Sequence, residues 1–322
     1  MKLFLSIAAR NLLQARRRTL LLSAALGLVT LLLVILLALS QGITDNLIRS
    51  ATTLSAGHVN VAGFYKPTPD DTGPILTGVA EIRRIVVENT PGLAGVIDRH
   101  RGWAKVIGER GSIQAGLSGI DITQEDRLLE VIELAPESEY EPGGEDRVTG
   151  DLRRLAEPES ALIFVNQARR LGVGVGDRLT LRTETLRGTT NTADVTVVAV
   201  ARNVGFMSNW SVFVPKETIL DLYQLREDTS GAVMIYLDDI DRAPEVMAHL
   251  REVFEAKGYR VMDHAPTPFF MKFETVLGED WTGQKLDLTI WKDEVSFLTW
   301  VVTAVDSVSF FLIGILVVII AI

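Results

Sequence analysis

The glycine run Gly172-Val-Gly174-Val-Gly176-Asp177 is the first place to look for chemistry, because closely spaced glycines can cradle a phosphate. Here the run follows a short helical segment and opens a strand. That is the reverse of the order a dinucleotide needs, so it reads as a turn. No Gly-Lys pair occurs anywhere, which removes a Walker-type ATP site. His58, His100, His249 and His264 are widely separated and offer neither paired metal ligands nor an obvious general base. Gly116-Leu-Ser118-Gly119 is one residue out of register for a nucleophile elbow and reads as a strand end. Asp238-Asp239-Ile-Asp241 precedes Pro244 and reads as a helix cap. The chain has no cysteine, so disulfides, thiolate catalysis and cysteine-held metals are excluded. No catalytic, cofactor or metal site is expected.

The elements around these residues are of two kinds. The 322 residues are 47% hydrophobic yet 23% charged, with a mean hydropathy of +0.23. Both figures are met at once if apolar residues are gathered into a few segments around a soluble domain. The net charge of −9 argues against nucleic acid as a partner. From Thr19 to Thr44 there is no charge, and at about 1.5 Å per residue this run exceeds a hydrocarbon core of roughly 30 Å. A cleavable signal peptide is the competing reading, but its apolar region would be shorter.

A second apolar stretch runs from Phe297 to Ile322, interrupted by Asp306. The uncharged residues 307–322 fall short of a full crossing, so a longer protein is expected. Lys2, Arg10 and Arg16–Arg18 precede the first span, which places the N-terminus in the cytoplasm. The segment between the spans carries 27 basic and 40 acidic residues and is expected outside the membrane.

Leu3, Phe4, Ile7, Ala8, Leu12 and Ala15 recur at helical spacing, predicting an amphipathic elbow helix over 1–18 on the cytoplasmic face, with a plain extension of the span into the cytosol as the alternative. The first span is expected over 19–42, with a stalk over 43–57 that carries Ile43, Leu47, Ala51 and Leu54 on one stripe. On the return side, Trp291, Val295, Leu298, Val302 and Val305 follow a 4-3-4-3 spacing, predicting one unbroken stalk seam within 289–322. Packing of both stripes into the domain's own core is the alternative.

Strands are expected at His58–Ala62, Trp103–Ile107, Ser112–Leu117, Ala161–Phe164, Asp177–Glu184, Val195–Ala201, Ser211–Val214, Ala232–Leu237 and Tyr259–Asp263. Helices are expected at Val79–Asn89, Asn166–Leu171, Lys216–Leu225 and Pro244–Lys257. Residues 125–159, mostly acidic and broken by Pro136, Pro142-Gly143-Gly144 and Pro158, read as a surface loop or linker without spaced calcium ligands. The fold class is an α+β membrane protein. Segments 58–124 and 229–288 form a split β-α-β layer, and the acidic loop with a β-rich block, 125–228, is inserted between them as a distal part. In that block Phe206, Met207 and Trp210 are candidate contacts for a cargo or partner, with core packing as the bland alternative.

Several segments resemble the permease subunits of MacB/LolC/FtsX-like ABC transporters, the type VII mechanotransmission class. Ala9-Arg10-Asn11-Leu12 with Arg17-Arg18-Thr19-Leu20 is similar to that family's first-span approach. Pro91–Val96, Leu117–Asp121 and above all Asn166–Leu181 are similar to its periplasmic core. Gly57–Val61 is similar to the lipoprotein-releasing LolC/LolE branch. Because the sequence opens on the elbow helix, an N-terminally fused ATPase is not expected.

The resemblance implies four spans, a porter-like layer built from both ends of the insert, and a distal β-rich part. It implies an inner-membrane complex in which ATP is bound by a cytoplasmic ATPase dimer and not by this chain. A second permease subunit, a periplasmic partner and membrane lipids complete the expected partners. Motion would pass from the ATPase to the periplasmic domain, for lipoprotein or lipid release or for export of a hydrophobic or peptide cargo. A two-span sensor is the competing class. The β-rich insert and the amphipathic elbow helix favour the permease.

Overall fold

The leucine- and alanine-rich run after Arg16 contains no proline and forms one uninterrupted helix, α1 (Arg16–Leu54, 39 residues). The computed structural model describes residues 16–185 and 188–321, so most of the expected elbow helix lies outside the described residues. The chain divides into two units. One comprises Met1–Asp45 with Leu298–Ile322, and the other is Asn46–Phe297. In the first unit, among the described residues, α1 alone is long and apolar enough to cross a membrane. The other helix there, Thr299–Ala321, contains a shorter apolar stretch, Thr303–Ile315.

The unit Asn46–Phe297 begins with the end of α1 and continues through β1 (Val59–Lys66), β2 (Leu76–Thr77) and α2 (Val79–Asn89). Next come the long β3 (Leu93–Ile107), β4 (Ser112–Ile120) and a short α3 (Asp126–Val131). After them follow β5 (Ser160–Phe164), α4 (Val165–Leu171), β6 (Arg178–Glu184) and β7 (Thr190–Ala201). The rest is β8 (Ser211–Pro215), α5 (Lys216–Tyr223), β9 (Thr229–Ser230), β10 (Ala232–Leu237), α6 (Ala243–Ala256), α7 (Phe273–Leu277), β11 (Gly283–Ile290) and a one-turn α8 (Trp291–Glu294). A 3-10 turn, Ser296–Leu298, leads from there to α9 (Thr299–Ala321).

The strands run β11-β1-β10-β3 and then β4-β8-β5-β7-β6, with β6 pairing back onto β3. The first four are a split β-α-β layer. β1 and β3 flank β10, each antiparallel to it, and α2 connects them. β10 and β11 likewise flank β1 and are connected by α6. This is the ferredoxin-like arrangement. Its core takes Ile82, Ile85 and Val86 from α2, Val246, Leu250 and Phe254 from α6, and Val59, Val61, Val233, Ile235, Leu286 and Leu288 from the sheet.

The remaining strands close on the far half of β3 as a six-stranded barrel. Alternation along each strand sends Ala104, Val106, Ile163, Leu181, Val197 and Val212 into one shared cluster and Leu162, Phe164 and Phe213 into another.

Two expectations are corrected here. The return strand of the second β-α-β unit is β11, not Tyr259–Asp263, where only an isolated bridge from Val261 to Leu286 forms. Residues 125–159 are only in part a surface loop: 141–149 are irregular and largely exposed, but the flanking parts are anchored. Leu128, Ile132, Leu152 and Leu155 pack under the outer barrel face of Leu162, Phe164 and Phe213, and apart from the buried Glu125 the acidic side chains lie on the other side of that cover.

Candidate functional site at the end of the first helix

An α-helix leaves its last carbonyls without intrahelical partners. At the end of α1, Ala51 O accepts the backbone N–H groups of Ser55 and Ala56. The next carbonyls are taken by side chains from the sheet. Tyr236 Oη on β10 donates to Thr52 O at 3.1 Å. Arg99 Nη1 on β3 donates to Thr53 O at 3.0 Å and Leu54 O at 3.1 Å, and Arg101 Nη2 donates to Ser55 O at 3.0 Å. Two cations thus meet the negative end of the helix dipole.

Arg99 is buried, and its remaining donors form a two-pronged pair with Glu125, Nε to Oε1 and Nη2 to Oε2, each at 2.6 Å. Burial opposes its charge, but the Glu125 carboxylate outweighs that and holds the guanidinium above its usual value. Arg99 also lies over the Phe213 ring at 5.5 Å. The position matters because β3 belongs to both sheets. Arg99 is paired with Ala232 of β10, and the next residue, His100, is paired with Gly119 of β4. The helix is therefore gripped where the chain passes from the layer to the barrel.

Around this socket the chain is tight. A Cβ on Gly57 would sit 2.6 Å from Ile235 N, so only glycine lets the chain turn from α1 into β1 there. Tyr236 is braced by His58, edge-on at 5.4 Å, and by Arg127 over its ring at 4.4 Å. His58 Nδ1 accepts Leu237 N–H, and burial holds the imidazole neutral, its pKa lowered to about 4.

The expected seam is placed differently from its sequence reading. Trp291 and Val295 are buried against Ala51 of α1, with Ile48 and Ile240 alongside. The helix does not run on unbroken, because α8 stops at Val295 (φ −111°, ψ 13°) and a 3-10 turn intervenes before α9. Val305 is half-buried in α9, and the side chains of Leu298 and Val302 lie outside those described.

The expected contact residues also divide. Met207 packs into the cluster of Phe164 and Phe213, whereas Phe206 and Trp210 are exposed and tilted together at 5.4 Å. Their loop is not distal to α1. Gly205 (φ +57°) rests against Asn46 and Ser50, and Ser50 Oγ donates to Val204 O. The glycine run Gly172–Asp177 is a turn. Gly172 ends α4 with φ +69°, and Asp177 accepts the Gly174 N–H at 2.7 Å. Among the described residues no cluster of three metal-ligating side chains forms.

The model of the MacB-like periplasmic core domain matches residues 19–253. The chain belongs to that family. Membership makes it the MacB-like permease part of an ABC transporter that works with an ATPase, and makes the matched residues its periplasmic core domain. No protein of curated function matches it. Among solved structures it is similar to the extracellular domain of the noncanonic ABC-type transporter YknZ from Gram-positive bacteria, at 13% identity and a TM-score of 0.37, over 62% of this chain and 95% of that one. It is also similar to the periplasmic region of MacB from Actinobacillus actinomycetemcomitans, at 12% identity and a TM-score of 0.37, over 76% and 93%. A domain of a putative permease protein from Porphyromonas gingivalis matches at 15% identity and a TM-score of 0.34, over 71% and 86%.

The sequence reading of this MacB-like chain missed Arg99, Arg101, Glu125 and Tyr236. A usable signal was present: Arg99 and Arg101 alternate at strand period, which puts two cations on one strand face beside apolar residues.

Proposed function

We propose that this chain is a mechanotransmission permease, in which α1 carries motion from a cytoplasmic ATPase dimer to the periplasmic domain. The single observation behind this reading is the socket. The carbonyls at the end of a 39-residue helix are held by Tyr236, Arg99 and Arg101, at the residue where the layer and barrel share β3. A helix fixed this way moves both halves together, whereas a loop would absorb the displacement. Trp291 and Val295 add a second contact on Ala51, from the returning chain.

In this reading the chain lies in a bacterial inner membrane with its N-terminus in the cytoplasm. α9 is part of a second span, and two permease subunits pair above the ATPases, which bind the ATP. A periplasmic partner or a lipoprotein, lipid or peptide cargo receives the motion.

The experiment is a spin label at Val148→Cys, an exposed position, in each of two paired permease subunits reconstituted with their ATPase. ATP should change the label–label distance. In the double variant Arg99→Met/Glu125→Leu, which removes the buried pair together, ATP turnover should persist while the distance change is lost. An unaltered distance change in that variant would reject the socket as the coupling element.

A further inference from the structure

Three separate segments bring aromatic side chains together at one end of the periplasmic unit. Trp210 and Phe206 come from the loop before β8, Phe270 from the turn before α7, and Phe297 from the turn after α8. Their rings form a chain: Trp210–Phe206 at 5.4 Å, Phe206–Phe297 at 6.5 Å and Phe297–Phe270 at 6.2 Å. Phe206, Trp210, Phe270 and the neighbouring Met271 are 42, 46, 60 and 54% exposed, so they do not fill a core.

The contributing segments 203–210, 267–271 and 295–298 contain no charged residue, although the chain as a whole is 23% charged and strongly acidic. A neutral aromatic patch is therefore set into an otherwise charge-rich surface. Tryptophan concentrates at the boundary between lipid headgroups and hydrocarbon, and phenylalanine lies with it on the apolar face of interfacial segments.

What covers the patch follows from where the chain enters and leaves. Gly205 rests on Asn46 and Ser50 of α1, and Phe297 is the last residue of the unit before the apolar helix α9. Along α1, at about 1.5 Å per residue, Ser50 lies only about 9 Å beyond Thr44, the last residue of the uncharged run. The headgroup layer outside a hydrocarbon core of roughly 30 Å is itself several ångströms thick. We propose that this patch is an interfacial anchor that seats the periplasmic domain on the outer headgroup layer of the bilayer. The occupant is lipid, continuous with the membrane that α1 enters, and not a protein cargo. The proposal rests on the membrane location of the MacB-like family and is independent of the coupling reading.

The chain has no native cysteine, so single labels can be placed cleanly. Trp210→Cys and Met271→Cys, with Val87→Cys on α2 as a control exposed at 51%, would each carry an environment-sensitive fluorophore in the full chain. The chain is reconstituted in vesicles of phosphatidylethanolamine and phosphatidylglycerol whose acyl chains bear a nitroxide just below the headgroup. Labels at 210 and 271 should be quenched roughly twofold or more by the lipid nitroxide and shielded from aqueous iodide, the reverse of the Val87 label. Quenching of 210 and 271 by iodide as strongly as at 87 would overturn the proposal. So would shielding from both quenchers, which would mark a protein contact. Coincident melting of the labelled variants and the unlabelled chain confirms that each is folded.

Discussion

The two places where the periplasmic unit is tied to its apolar helices are built differently. The outgoing helix, α1, is α-helical to its last residue, and its terminal carbonyls are held by Tyr236, Arg99 and Arg101. The returning chain leaves β11 through four helical residues, a turn at Val295 and a 3-10 turn before α9 begins. Its charges are also of the opposite sign. Asp293 accepts the Ile290 N–H and pairs with His264 at 2.9 Å, while Glu294 accepts from Thr289 and Phe269. Burial raises the Glu294 carboxyl above the usual carboxylate range. Short 3-10 stretches within a helical path mark hinges. The contrast is that the end of α1 is clamped by side chains, whereas the returning chain passes through a turn.

The strongest way to break this contrast is Arg99→Ala. It strands Glu125 in a buried site and frees two carbonyls, and should cost about 3–5 kcal/mol in urea unfolding. Arg99→Met/Glu125→Leu should cost less than Arg99→Ala alone. A loss below about 1 kcal/mol in the single variant would mean that α1 is not clamped.

Next in size is a pH effect at His58, which links the two attachments. Its carbonyl accepts the Trp291 N–H and its ring accepts the Leu237 N–H. Its folded pKa, about 4, lies below the unfolded value of 6.5. The stabilisation is therefore complete above pH 6.5 and is lost as pH falls towards 4. A shift of that size corresponds to about 3 kcal/mol. The pH slope of the unfolding free energy between 6.5 and 4 should flatten in His58→Gln; an unchanged slope would assign it to other groups.

Hydrogen exchange sharpens the comparison residue by residue. Amides of Ala51–Ala56 should exchange at least about 100-fold more slowly than those of Val295–Leu298, since the former open only with the core. Equal protection would erase the difference between clamp and turn. Smallest is Tyr236→Phe, which removes one neutral donor from Thr52 O and should cost about 0.5–1.5 kcal/mol. A cost near zero there would leave the grip to the two arginines.

Much of the layer and barrel was legible because local signals were strong. Pro91-Gly92 ends α2, Pro215 introduces α5, and Pro244 sits in the first turn of α6. Alternation exposed the β3–β4 hairpin. β11 had the same signal in Leu286, Leu288 and Ile290, but its intervening Asp287 and Thr289 are buried too, and the Asp287–Lys272 pair is invisible without the fold. The acidic cover over residues 125–159 was misread because its apolar anchors are few and widely spaced. Its order comes from the barrel face beneath. The socket depends on Arg99 meeting Glu125 and the end of α1, partners 26 and about 45 residues away. No periodicity reports such contacts. The break after Val295 was hidden by a heptad-like spacing that continues across it.

The order of strands in the layer also sets the order of events as the chain is made. β1 lies between β10 and β11, so Asn60 must wait for Thr289, 229 residues later, before its pairing is complete. Such distant pairings are slow to form. The barrel contains all of its strands between β3 and β8 and can close before β10 leaves the ribosome. Arg99 and Glu125 are synthesised well before Tyr236, so the arginine donor to the α1 carbonyls precedes the tyrosine donor in the chain. Until β10 and β11 are made, β1 has neither of its sheet neighbours, and both of its edges are open to pairing.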